Sequence, residues 1–167
     1  MNSYDEFQAK PYFDYLLKEY LCPLFQEKGY KKKSAYNWIK TNGEIKAEIK
    51  LQKSISNTSK GINFCIHIKL SDIEETQSLY DLQRNTLFLS RERTKYKDEN
   101  FHWNGWYLIY RANEFERLLN EELKIDLEVY ILPLIEKINT KEILERIISK
   151  NKNMDGVWYI PDEIEFE

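Results

Sequence analysis

The chain has 167 residues, with 25 Lys and Arg against 28 Asp and Glu, a formal net charge of −3 and two cysteines. That length supports one sizeable core and predicts a single α+β domain over 1–167, with 161–167 as an acidic tail. The charge argues against a general nucleic-acid binder while leaving room for a local basic patch. The cysteine count argues against a disulfide framework, and no apolar run reaches membrane-spanning length.

The N-terminus, Met1 through Phe7, lacks the basic and apolar regions of a secretory leader, so a cytoplasmic location is expected. Pro11 suits a first helical turn and Gly29 a position just past a helix end. Between them Phe13, Leu16, Leu17, Tyr20, Leu21 and Leu24 form one apolar stripe at helical spacing. Pro23 interrupts the stripe and predicts a kink or restart. Lys31, Lys32 and Lys33 follow as a basic entry to the first strand. They read either as a phosphate-contacting patch beside Tyr30 and Tyr36 or, more simply, as a solvated linker with gatekeeper charges.

Three antiparallel strands are expected across 34–70. Asn42-Gly43 is a strong short hairpin signal, because a type I′ turn needs positive φ at both central residues. Centring the turn there pairs Lys40 with Ile45, Trp38 with Ala47 and Tyr36 with Ile49. Tyr36, Trp38, Ile45, Ala47, Ile49 and Leu51 then share one face, and Glu44, Lys46, Glu48, Lys50 and Gln52 the other. The strand at 61–70 alternates in the same way. Ile62, Phe64, Ile66, Ile68 and Leu70 face inward, against Asn63, Cys65, His67 and Lys69. The polar loop 54–60 is long for a hairpin and is expected to be mobile.

Asp72 with Glu75 suggests a capping box before a weakly patterned helix carrying Ile73, Leu79, Tyr80 and Leu82. A fourth strand is expected at 86–93, with Arg91 and Arg93 at its end. Trp103, Trp106, Leu108 and Tyr110 alternate enough for a fifth, or for a buried irregular segment. The C-terminal third reads as three helices. They open at an Asn113/Glu116 capping box, carry Pro133 within the apolar 127–138 stripe, and resume after an Asn139/Glu142 capping box. Val157 through Ile160 could add a short edge strand. The Tyr-Leu-Cys-Pro-Leu-Phe run at 20–25 and the Tyr-Ile-Leu-Pro-Leu-Ile run at 130–135 point to two similar kinked core helices. The expected fold is therefore an antiparallel sheet of four to five strands (hairpin 35–53, strand 61–70, strand 86–93). It packs against an N-terminal helix and C-terminal helices.

The order of certain residues adds a resemblance. Pro23-Leu24 precedes Lys28-Gly29-Tyr30-Lys31-Lys32-Lys33, then come Trp38 and Leu51-Gln52-Lys53-Ser54 ahead of an alternating strand. With Arg91-Glu92-Arg93 and Leu132-Pro133-Leu134-Ile135-Glu136-Lys137, this resembles the bacterial domain-of-unknown-function family 4304 over 5–148. The resemblance implies the order of elements and carries no catalytic residues with it.

The residues offer little chemistry. Cys65-Ile66-His67 puts two metal-ligand types on one strand face but needs partners from elsewhere, so no metal or cofactor is expected. There is no phosphate loop, nucleophile elbow or paired Cys-x-x-Cys, and no catalytic residue is assigned. The polar sheet face is the candidate partner-binding surface, through Lys50, Gln52, Lys53, His67, Lys69, Arg91 and Arg93. The reading that follows is a non-catalytic protein-binding module, of inhibitor or immunity type. The alternative is a nucleic-acid-binding or processing protein using Lys31 to Lys33, Lys50, Lys53, Arg91 and Arg93, and neither reading involves a membrane.

Overall fold

A computed structural model describes residues 7–73, 86–90 and 106–151. The N-terminal helix begins as α-helix over Ala9–Tyr15, widens to a π-type stretch over Leu16–Leu21 and returns to α-helix over Cys22–Glu27. Pro23 explains the widening. Its nitrogen cannot donate and its ring crowds the preceding turn. The chain passes this point with the Cys22 N–H reaching five residues back to the Leu17 carbonyl. Pro133 likewise follows a π-type stretch, Ile125–Ile131, ahead of an α-helix over Leu132–Lys137, and a further π-type stretch, Leu118–Leu123, lies upstream with no proline beside it. Ahead of Pro133 the Leu132 N–H donates to the Leu127 carbonyl. The two similar runs thus make two similarly adapted helices.

Gly29, with φ of 85°, ends the first helix. The Tyr30 N–H donates to the Phe25 carbonyl (2.8 Å) and the Gly29 N–H to the Gln26 carbonyl (3.0 Å). The Phe25 and Tyr30 rings lie 6.0 Å apart beside this reversal. This is the Schellman ending that glycine permits.

The sheet is antiparallel, with strands β1 (Lys31–Ser34), β2 (Asn37–Asn42), β3 (Ile45–Lys53) and β4 (Ile62–Asp72) adjacent in that order. β5 (Thr86–Ser90) pairs with 67–71 of β4, and β6 (Tyr107–Ile109) with 62–64 of the same strand. The α+β arrangement is the expected one, an antiparallel sheet with helices before and after it, and its six described strands are one more than the four to five expected. The basic run at 31–33 contributes a short edge strand of its own.

The hairpin register differs from expectation. Asn42 pairs with Ile45 and Trp38 with Ile49, two residues along from the Trp38–Ala47 pairing. Gly43 has φ of 59°, and no residue other than glycine among those described has positive φ. Gly43 therefore takes the first central position of a type II′-like turn, with Glu44 the second. A two-residue shift leaves every face unchanged, because side chains alternate with period two. Trp38, Ile45, Ala47, Ile49 and Leu51 are all buried.

The helices cover this inward face. Trp38 packs at a tilt against Phe25 (4.9 Å between centroids), and Phe64 lies between Phe13 (5.6 Å) and Tyr107 (5.2 Å). In β6 the inward residues are Tyr107 and Ile109, while Leu108 and Tyr110 are exposed. That is the opposite phase from the one expected of Leu108 and Tyr110.

The hairpin tip explains the shifted register. The Asn42 amide donates to the carbonyls of Ile135 and Glu136, both at 3.1 Å, at the end of the Leu132–Lys137 helix. The Glu44 N–H donates to the Asn139 carbonyl (2.9 Å), and the Glu44 carboxylate accepts from the Lys141 N–H (2.8 Å). Thr140 Oγ1 accepts from the Ile143 N–H at 3.3 Å. Thr140 and Glu44, not Asn139 with Glu142, thus serve the start of the Lys141–Asn151 helix. The Ala112–Arg117 helix starts without a side-chain cap, so the expected Asn113 box is not formed.

The loop 54–60 is tied down. Asn57 bonds the Asn63 backbone twice, donating to its carbonyl (3.0 Å) and accepting from its N–H (2.7 Å). The Ser59 carbonyl accepts from the Ala9 N–H at the start of the first helix (2.8 Å). Asp72 closes β4 and pairs with Lys141 (3.0 Å), and the capping box expected of it with Glu75 reaches beyond the described residues. The expected helix through Leu79, the aromatic Trp103, the edge strand at 157–160 and the acidic tail lie outside the described residues.

Candidate functional site

The sheet face turned away from the helices is set by pairing. Its cross-strand rows are Thr41–Lys46–Ser71, Ile39–Glu48–Lys69 and Asn37–Lys50–His67, followed by Gln52–Cys65. Lys31 extends the second row through its pairing with Ile39. Alternation puts Lys33 on the same side, where its ammonium lies 3.8 Å from the Glu48 carboxylate, and a bulge between Lys32 and Ser34 brings Ser34, paired with Asn37, there as well.

This face is not uniformly open. Thr41, Lys46, Lys50 and Gln52 are exposed, as are Lys31 and Lys33. On β4, Lys69 and His67 are half-buried, and Cys65 and Ser71 are only 6% and 4% exposed. The accessible part is therefore the β1–β3 half.

Glu48 is the one acid on the exposed rows of that half, and it is engaged. Asn37 Nδ2 donates to it at 2.6 Å. This bond holds the Glu48 carboxyl below the usual range; partial burial opposes it, and Lys33, Lys46 and Lys69 reinforce it. Among the described residues no carboxylate lies within ion-pair distance of Lys31, Lys46 or Lys50. A chain of net negative charge thus carries a patch whose cations exceed its anions. Several acids elsewhere are paired with cations of their own, as in Lys40 with Glu136 and Arg117 with Glu122.

Of the expected site residues, Lys50, Gln52, His67 and Lys69 share this face. His67 Nε2 lies 3.0 Å from Gln52 Oε1 and 3.1 Å from Cys65 Sγ. Cys65 and His67 could together offer a metal two donors. Among the described residues no third His, Cys, Asp or Glu joins them. Lys53 lies on the opposite face, a correction that β3 alternation already contains. It falls in step with Leu51, and its ammonium sits over the Phe13 (5.4 Å) and Tyr36 (5.1 Å) rings. Arg91 and Arg93 lie outside the described residues.

Thr41 was not anticipated for the patch, and Lys31 and Lys33 were expected as a basic entry to the sheet without a place on this face. The signal for the lysines was the basic run itself, whose strand character depends on pairing with β2 and is not visible locally. Thr41 was already in phase with this face, and the shifted register changes only its partner, from Glu44 to Lys46.

No described helix is long and apolar enough to cross a membrane. Compared with known proteins, residues 21–167 match the family model of a domain of unknown function, DUF4304. No curated protein and no solved structure matches the chain.

Proposed function

The chain belongs to the DUF4304 family of domains of unknown function, and from that premise we propose that it is a non-catalytic protein-binding module. Its binding surface is the β1–β3 half of the polar sheet face, and its partner presents an acidic surface. An inhibitor or immunity-type role, in which this face masks an acidic site on another protein, fits that surface. The observation that carries the reading is the set of exposed lysines, Lys31, Lys46 and Lys50, which have no carboxylate partner among the described residues while Glu48 is held by Asn37 and Lys33. Complementary charge of this kind steers encounter and sets partner choice.

Phosphate backbones are attracted by the same lysines. The exposed strand residues of β1–β3 on this face carry no aromatic ring, whereas sheets that read single strands stack bases on aromatic side chains. That difference favours a protein partner. Titration of single-stranded and duplex RNA and DNA at about 50 and 200 mM salt tests it. Weak binding at both concentrations is expected. Tight binding with a steep salt slope would overturn the protein-partner reading in favour of nucleic acid.

A further inference from the structure

We infer that the outer edge of β1 takes an extended acidic segment of the partner as an added antiparallel or parallel strand; this rests on the protein-binding reading and deepens it. The sheet order ends at β1, and all four of its residues, Lys31 through Ser34, are exposed. A terminal strand directs every second N–H and C=O outward, and an incoming strand would seat about 4.8 Å away. Side chains at this edge decide what can seat there. Lys31 and Lys33 lie on the polar face, continuous with Lys46 and Lys50. Lys32 lies on the other, with its ammonium 3.8 Å from Cys22 Sγ.

A second copy of the chain would bring three lysines against three lysines, which is the repulsion that protects edges from pairing with their own kind. An acidic strand reverses that sign on both faces. The main-chain ladder supplies affinity and the lysines supply selectivity, without any pocket. A basic edge beside a basic sheet surface gives one partner two contacts, with a strand on the rim and an acidic surface on the face.

The probe is a fluorescein-labelled peptide, Thr-Glu-Val-Glu-Val-Glu-Thr, beside the same peptide N-methylated throughout, which keeps the charge and loses the donors. Anisotropy of the whole chain with each is expected to show at least tenfold tighter binding of the unmethylated peptide. Hydrogen exchange at the 31–34 amides should slow on binding, and K31E/K33E should weaken it at least tenfold. Equal affinity for the two peptides, or unchanged exchange at 31–34, would overturn strand addition. So would a dimer that protects the same amides before peptide is added. The methylated peptide and the exchange at 31–34 leave the face reading untouched; K31E/K33E bears on both, and the face alone is tested through Lys46 and Lys50.

Discussion

A methyl group placed on Gly43 would sit 2.2 Å from the main-chain oxygen of Asn139, so the β2–β3 tip and the junction between the last two helices touch backbone to backbone. Gly43 also has φ of 59°, a conformation that costs other residues roughly 1–2 kcal/mol. Gly43→Ala should therefore lose at least about 1–2 kcal/mol in urea unfolding. Gly43→Asn separates the two causes, since asparagine tolerates positive φ but still carries the blocked carbon. It should be as damaging as alanine, and near-normal stability for it would mean that the tip does not dock.

Asn42 acts as a remote stop for the Leu132–Lys137 helix through its two bonds to Ile135 and Glu136. Asn42→Ala should cost about 1–3 kcal/mol, from two hydrogen bonds at about 0.5–1.5 each. Asn42→Asp should be worse at neutral pH, because a carboxylate would face carbonyl oxygens at the negative end of a helix. Equal stability of the two variants in denaturant titration would refute the capping role.

The inward face of the sheet was readable from alternation alone, and the shifted pairing shows why the register was not. Period two places Trp38, Ile45 and Ile49 together whichever even register holds. Choosing among those registers depended on Asn42, whose amide is spent on carbonyls more than ninety residues away. No local preference for Asn-Gly turns contains that information. Lys53 was misplaced for the opposite reason. Its phase was legible, but its charge suggested the polar face, whereas the aromatic pair Phe13 and Tyr36 accommodates its ammonium on the helical side. The half-open character of the polar face came from Cys65 and Ser71 being buried there, which strand periodicity does not report.

Glu48 makes the patch sensitive to acid. Its folded carboxyl ionises below the ordinary glutamate value of about 4.3. Its stabilising contribution is thus fully present above that value and is lost as pH falls through the lower folded one. Unfolding free energy measured at pH 7 and pH 3 should fall less between the two for Glu48→Gln than for the parent chain. Asn37→Ala, which removes the main cause of the shift, should reduce the same difference. An unchanged pH dependence in both variants would contradict the Asn37–Glu48 bond.

Tyr107 donates to the buried carboxylate of Asp126 at 2.6 Å. Removing that donor leaves a buried acid short of one bond, so Tyr107→Phe should cost about 1.5–3 kcal/mol. Tyr110→Phe, at a more exposed ring on the outer side of the same segment, should stay within about 0.5 kcal/mol. Similar losses for both, by thermal or urea unfolding, would mean that the Tyr107 hydroxyl is not engaged.

Thr41 is exposed beside Lys46 on the proposed binding face and can carry a photo-cross-linking amino acid in cells. With the parent lysines present, cross-linking should yield a discrete adduct that survives nuclease treatment and disappears in K46E/K50E. A nuclease-sensitive adduct, or one unchanged by the charge reversal, would contradict recognition of an acidic protein by this face.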